Sequence, residues 1–296
     1  MKMLKPYLIG TAVILALSVM LFISYSKSNN DDIGWIKDFS FDETQIHDIS
    51  FQFLNPCPSI PVKIGSKTVR LEFDTGNGMG IFITTALKDK VDYEVTGTIT
   101  ELNADGTYRG DGKAILLKRM SIFGKDYYDI ASSITDWRMF GFFKINGTIG
   151  LKYFDHKVIA LDYKNKKITL SDKAIDYSKL QNMNYTILPL IKSDLKNEQD
   201  LLFFEGEVNG EKSTIYLDTG SSRSFYNLEN AGNKLAVKLG EKAYTFPCKK
   251  MKYGDIGFSD SFRYPLKLAI NSDLLKANHI VIIIDKLQNN LIISQN

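Results

Sequence analysis

Cysteine is nearly missing from this 296-residue sequence, which has two, Cys57 and Cys248. A single pair builds neither a disulfide framework nor a cysteine-rich metal knuckle. Two readings remain: one long-range bridge, which an oxidising compartment would permit, or two separate buried thiols. Histidine is as sparse. His47, His156 and His279 stand far apart without metal-ligand spacing, so each reads as a surface or turn residue and no metal is expected. A basic stripe is also lacking. The net charge is only +3, and short clusters such as Lys164 to Lys167 read as solvated turns, which makes nucleic acid a poor candidate partner. Helical signal is scarce: beyond the N-terminal segment, only Thr84 to Lys90 and Ser272 to Ala277 are short candidates.

What is present is the composition of a folded protein, 44 % hydrophobic and 24 % charged, long enough for one large domain or two ordinary ones. Fifteen Tyr and 18 Phe join many Ile, Val and Thr in short runs. That mixture suits a pleated, half-buried surface better than a helical bundle.

The chain opens with one long apolar run, Tyr7 to Tyr25, preceded by Lys2 and Lys5 and followed by Asp31 and Asp32. Its length is close to the roughly 20 residues that cross a bilayer. The flanking charges place the N-terminus in the cytoplasm and the body outside, on a periplasmic or extracellular face. Residues 1–26 are therefore expected to be a signal anchor and 27–47 a tether. A cleaved signal peptide is the competing reading, with Ser24-Tyr25-Ser26 as a small-x-small site and a secreted product. The long apolar run favours the retained anchor. No cysteine closely follows it, which excludes a lipoprotein.

From about Ile49 the pattern is that of strands, and it repeats. Ser59-Ile-Pro-Val-Lys-Ile alternates, turns at Gly65-Ser66, and Thr68-Val-Arg-Leu-Glu-Phe runs into Asp74-Thr75-Gly76. Later, Phe203-Phe-Glu-Gly-Glu-Val turns at Asn209-Gly210, and Ser213-Thr-Ile-Tyr-Leu runs into Asp218-Thr219-Gly220. The closing segments match too. Val158 to Tyr163 and Lys167 to Leu170 end the first half, and Ile280 to Asp285 and Asn290 to Ile293 end the second. Such repetition predicts two similar all-β lobes, 48–172 and 173–296.

An aspartate at a strand-to-turn transition is exposed yet held by the sheet behind it, and a following glycine lets the backbone turn sharply and approach a facing loop. One Asp-Thr-Gly is weak, since a given tripeptide arises by chance in about one chain in twenty of this length. Two, each after an apolar strand at matching places in a repeat, are a strong signal.

These residues carry a resemblance. Phe73-Asp74-Thr75-Gly76, Leu217-Asp218-Thr219-Gly220-Ser221-Ser222 and Gly147-Thr-Ile-Gly-Leu-Lys-Tyr-Phe resemble the pepsin/retropepsin aspartic peptidases over nearly all of residues 48–294. The look is nearest to bacterial retropepsin-like proteins with both lobes on one chain. The resemblance implies β-barrel lobes with the active site at their interface, and a polypeptide substrate hydrolysed without cofactor or metal. Asp74 and Asp218 would be the catalytic pair, sharing one proton because two close carboxylates do not both ionise easily. Thr75 and Thr219 would bond across the lobe interface, Gly76 and Gly220 would shape the turns, and Ser221 would donate to Asp218. A flap is implied as well, and Asn103 to Gly112 fits it, with Gly106, Tyr108 near the tip, and Gly110. An ordinary surface hairpin is the equal alternative for that segment.

Two positions depart from the family pattern. Asn77 stands after the first Asp-Thr-Gly, and Leu268-Ala-Ile-Asn271 stands where an apolar-apolar-Gly is expected. Neither removes a reacting group. The expected function is an endopeptidase acting on extended segments. The rival, favoured by Asn271, is a peptide-binding or scaffold protein of the same fold without turnover.

Overall fold

The computed structural model describes residues 39, 41, 45–52, 54–102, 108–180, 185–194, 199–254, 256, 258 and 261–295. The expected anchor, residues 1–26, most of the 27–47 tether, and Gly106 lie outside the described residues. Among the described residues no helix is long and apolar enough to cross a membrane.

The described chain is all-β. Its first half supplies β1 (Ile46–Asp48), β2 (Ser59–Ile64), β3 (Lys67–Phe73), β4 (Ile81–Thr84), β5 (Tyr93–Leu102) and β6 (Tyr108–Ile122). There follow β7 (Lys125–Thr135), β8 (Gly147–Ile149), β9 (Val158–Asp162) and β10 (Lys167–Ser171). The second half supplies β11 (Tyr185–Ile191), β12 (Leu202–Val208), β13 (Glu211–Asp218), β14 (Phe225–Tyr226) and β15 (Lys234–Leu239). It ends with β16 (Lys242–Pro247), β17 (Lys252–Tyr253), β18 (Leu266–Asn271), β19 (Ile280–Asp285) and β20 (Asn290–Gln295). Two short α-helices interrupt the strands, α1 (Arg138–Phe142) and α2 (Ser272–Ala277).

Local chemistry explains the hairpins. In β2 the residues from Pro61 to Ile64 alternate exposed and buried, as a half-buried strand requires. Gly65, at φ +58°, lets the chain reverse into β3, and Asn209 and Gly210, both with positive φ, do the same between β12 and β13. Of the two helical candidates, Ser272 to Ala277 is α2, while Thr84 to Lys90 shrinks to a single 3-10 turn at Thr85–Leu87. The helix α1 carries no sequence signal that would have announced it.

Strands β2, β3, β8, β4, β7 and β6 close into a six-stranded barrel, since β6 pairs back with β2, and β5 extends it as a hairpin arm on β6. The remaining strands form one long sheet in the order β1-β10-β9-β19-β20-β11-β12-β13-β18-β14-β17, with the β15–β16 hairpin attached to β12. At its centre the closing hairpins of the two halves pair through β9 and β19. Every residue of β19 is buried because both faces are covered. Ile280, Ile282 and Ile284 join the main core, whereas Val281 and Ile283 face a second cluster with Phe39, Phe41 and Leu180. Burial on both faces replaces alternation by a continuous apolar run.

The end of the 27–47 segment corrects the tether reading. Phe39 and Phe41 are buried in that second cluster, and Ile46 to Asp48 pair with β10, so this stretch belongs to the folded body. Its aromatic side chains cover a sheet face that would otherwise be left to water. Cys57 and Cys248 are separate, free, buried thiols, which settles the choice left open by their number.

Candidate active site

Each Asp-Thr-Gly turn is set by a parallel strand pair. Strand β3 runs beside β8 with Phe73 opposite Ile149, and the Asp74 N–H donates to the Ile149 carbonyl at 2.9 Å. Strand β13 runs beside β18 with Leu217 opposite Ile270 and Asp218 opposite Asn271. The Gly76 N–H donates to Asp74 Oδ1 at 2.9 Å and the Gly220 N–H to Asp218 Oδ1 at 2.8 Å.

The two turns are tied to each other by a reciprocal set of buried hydrogen bonds. The Thr75 hydroxyl donates to the Leu217 carbonyl at 3.0 Å and accepts the Thr219 N–H at 3.0 Å. The Thr219 hydroxyl donates to the Phe73 carbonyl at 2.6 Å and accepts the Thr75 N–H at 3.1 Å. Both threonines are buried, at 1 % and 0 % exposure, so each hydroxyl satisfies a donor and an acceptor that water does not reach. The glycines allow the final approach. A Cβ at Gly76 would lie 2.7 Å from the Asp218 carboxyl, and one at Gly220 would overlap the Asp74 carboxyl carbon.

Each acid's carboxyl thus packs on the opposite turn's glycine, and the two carboxyls are close enough to interact. Burial, and then the Asp218 charge, hold Asp74 well above the usual carboxylate range. Burial raises Asp218 as well, but the N–H groups of Gly220, Ser221 and Gly76 and the Asp74 carboxyl all favour its charged form. Burial and each other's charge therefore favour one proton held between the two carboxyls, which titrate as a pair.

The Ser221 expectation needs correction. Its hydroxyl donates to the Arg223 carbonyl at 3.2 Å, and it is the Ser221 backbone N–H that favours the charged form of Asp218. A chain from the first half supports the same loop. The Ser272 hydroxyl donates to the Thr219 carbonyl at 2.7 Å, so the Tyr163 hydroxyl, 2.8 Å away, must be the donor to Ser272. Behind Asp218, the Ser224 hydroxyl donates to Asp273 at 2.6 Å and accepts the Asn271 N–H at 2.9 Å.

The two unusual asparagines have structural uses. Asn77 Nδ2 donates to Thr148 Oγ1 at 2.8 Å, while its Oδ1 accepts the N–H groups of Met79 and Gly80, both at 3.1 Å. Asn271 lies in extended backbone, φ −120° and ψ 179°, so no glycine is needed for conformation. Its Nδ2 donates to the Arg223 carbonyl at 2.8 Å. At the corresponding Gly150 a Cβ would overlap the Asn77 carbonyl oxygen, which is why glycine is required in one half alone.

The sequence reading missed several groups at this site. Glu72, one residue before Phe73 on β3, is buried at 3 % exposure and accepts Asn55 Nδ2–H at 2.6 Å. Burial pushes its carboxyl up to about 7. Alternation along β3 puts Glu72 on the same face as Thr68 and Arg70, so its burial carried no signal in the sequence. Cys57 lies nearby, its N–H donating to Asn55 Oδ1 at 3.0 Å, and burial followed by the Glu72 charge holds its thiol protonated.

The flap candidate is the β5–β6 hairpin. Tyr108 stands 63 % exposed at the start of β6, its hydroxyl donating to Asp111 at 2.9 Å, and Gly110 pairs with Glu101. The next residue, Arg109, sits at an irregularity in the ladder, which steps from Glu101–Gly110 to Leu102–Tyr108 and leaves Arg109 without a strand partner. Its guanidinium carbon lies 3.1 Å above the Trp137 ring, and its charge acts on Glu101, Asp74 and Glu72. Among the described residues no three or more His, Cys, Asp or Glu side chains form a group that could hold a metal ion. No protein-family model and no curated protein matches this sequence.

Proposed function

We propose that this chain is an aspartic endopeptidase of the pepsin/retropepsin kind, with two β-barrel lobes, 48–172 and 173–296, and its catalytic pair between them. Residues 1–26 would hold it on the outer face of a membrane. The observation that carries the reading is the convergence of Asp74 and Asp218 under reciprocal Thr75–Thr219 bonding.

In this reading a water lies between the carboxyls. Asp218, charged, takes a proton from it as the hydroxyl attacks the scissile carbonyl carbon. Asp74, protonated, donates to the carbonyl oxygen as negative charge develops there. Collapse of the tetrahedral intermediate breaks the C–N bond, and the leaving nitrogen takes the proton gained by Asp218. Substrate lies extended beneath the β5–β6 hairpin and adds backbone hydrogen bonds like an extra strand.

The binding-only alternative rested on Asn271. The unstrained backbone of Asn271 and its bond to the Arg223 carbonyl weaken that alternative, because the Asp218 turn keeps its support. The test is incubation of the purified protein with casein from pH 3 to 8, with and without a statine-containing transition-state analogue. Inhibitor-sensitive cleavage is expected. A folded protein that binds casein and cleaves nothing at any pH would sink the peptidase reading.

A further inference from the structure

A peptide in the proposed groove meets the dyad, which carries one negative charge, with the buried Glu72 close by. Glu72, Asp74 and Asp218 lie close enough for their charges to act on one another. A substrate carboxylate there would be repelled unless a cation faces it. Arg109 is placed for that role by a continuous stack. Trp137 Nε1–H donates to Glu101 at 2.6 Å, and its ring packs on Phe82 with centroids 4.0 Å apart. Phe82 on β4 sits opposite Thr148 on β8, and Thr148 sits opposite Glu72 on β3, so the indole is anchored to the strand that carries the dyad.

The Arg109 guanidinium carbon lies over this fixed ring, 3.1 Å from its centroid. Stacking fixes the plane of the guanidinium and leaves its N–H edges available for bidentate bonding. Among the described residues no hydrogen bond or ion pair engages those edges. Glu101 contributes charge to Arg109, but its carboxylate bonds with Trp137 and Ser133. The result is a held cation whose charge reaches Glu101, Asp74 and Glu72.

We propose that Arg109 selects substrates, receiving an Asp or Glu side chain of a peptide bound between the β5–β6 hairpin and the dyad. This rests on the peptidase reading for its substrate class. Planar two-point pairing with a carboxylate discriminates against the neutral amide of the same shape, by about tenfold to a hundredfold for one charge-assisted pair.

The test uses two fluorescent octapeptide sets at pH 5.5, alike except that a scanned position is Glu in one set and Gln in the other. The full-length protein should cleave Glu peptides at least about tenfold faster in kcat/KM at one scanned position. Arg109→Gln should bring that ratio to about one, and Arg109→Lys should keep part of the preference. Equal rates on both sets by the natural protein, or an equal loss on both in Arg109→Gln, would overturn the proposal. Anisotropy with the same peptides separates the two readings. If nothing is cleaved, the peptidase reading fails alone, and the Glu-to-Gln binding ratio still decides for or against Arg109.

Discussion

Gly220 packs directly against the carboxyl carbon of Asp74, across the interface between the two halves of the chain, and a Cβ added there would overlap it. Gly76 stands in the same relation to Asp218. Each Asp-Thr-Gly turn thus shapes the space for the other half's acid, which explains the glycine in both turns better than backbone freedom does. Gly220→Ala must displace Asp74 or the turn itself. We expect kcat to fall by a hundredfold or more while the protein stays folded by circular dichroism, since a misplacement of about 1 Å costs that much. Unchanged kcat in Gly220→Ala would mean the two turns are not held as close as described.

The Thr75 and Thr219 hydroxyls each serve a carbonyl and an N–H of the partner turn. Thr75→Val strands the Leu217 carbonyl and the Thr219 N–H, both buried, and should cost about 2–4 kcal/mol. Thr219→Val should cost a similar amount. Because the four bonds form one network, the double variant should lose clearly less than the sum of the singles. Urea denaturation of the four proteins measures this, and strict additivity would argue against a coupled network.

Glu72 gives stability a pH slope of known sign. Its folded carboxyl titrates near 7, against about 4.5 in the unfolded chain, so the folded protein binds the extra proton between those values. Its contribution is fully present below about pH 4.5 and is lost as pH rises through 7, by about 3 kcal/mol in total. Glu72→Gln keeps a carbonyl oxygen for Asn55 and removes the titration. It should be more stable than the natural protein at pH 8 and show a flatter profile between pH 5 and 8. The negative charge of Glu72 also raises Asp74, so the alkaline limb of the pH–rate profile should move to lower pH in Glu72→Gln. Thermal denaturation across pH checks the first part and kcat/KM across pH the second.

Much of this was legible in the chain. The paired hairpins and the two Asp-Thr-Gly turns follow from a repeat visible in strands of period two, ended by the same three residues, whereas the crossing of Thr75 and Thr219 is implied by the family resemblance alone. The closing Asp162 and Asp285 are buried turn acceptors, for Asn165 and for Leu287 and Gln288. Features depending on long-range neighbours were not legible. Glu72 reads as an ordinary strand carboxylate until Asn55, 17 residues away, covers it. Ser224 and Asp273 are 49 residues apart, and no local pattern pairs them. Tyr108 reads as the flap aromatic, whereas the register shift at Arg109 and its seat over Trp137 depend on neighbours that no local pattern gives. Asn271 is held by the Arg223 carbonyl, 48 residues away in the chain, a partner that no local pattern gives.

In the proposed peptidase, Asp74 and Asp218 act as one unit. The deciding measurement is single-turnover cleavage of an unstructured peptide by the natural protein, Asp74→Asn, Asp218→Asn and the double variant at the pH of maximal activity. Each single substitution should lower the rate by a thousandfold or more, and the double should be little worse than either, as for groups that share one reaction step. A single variant that keeps most of its activity, or losses that multiply in the double, would contradict a shared dyad.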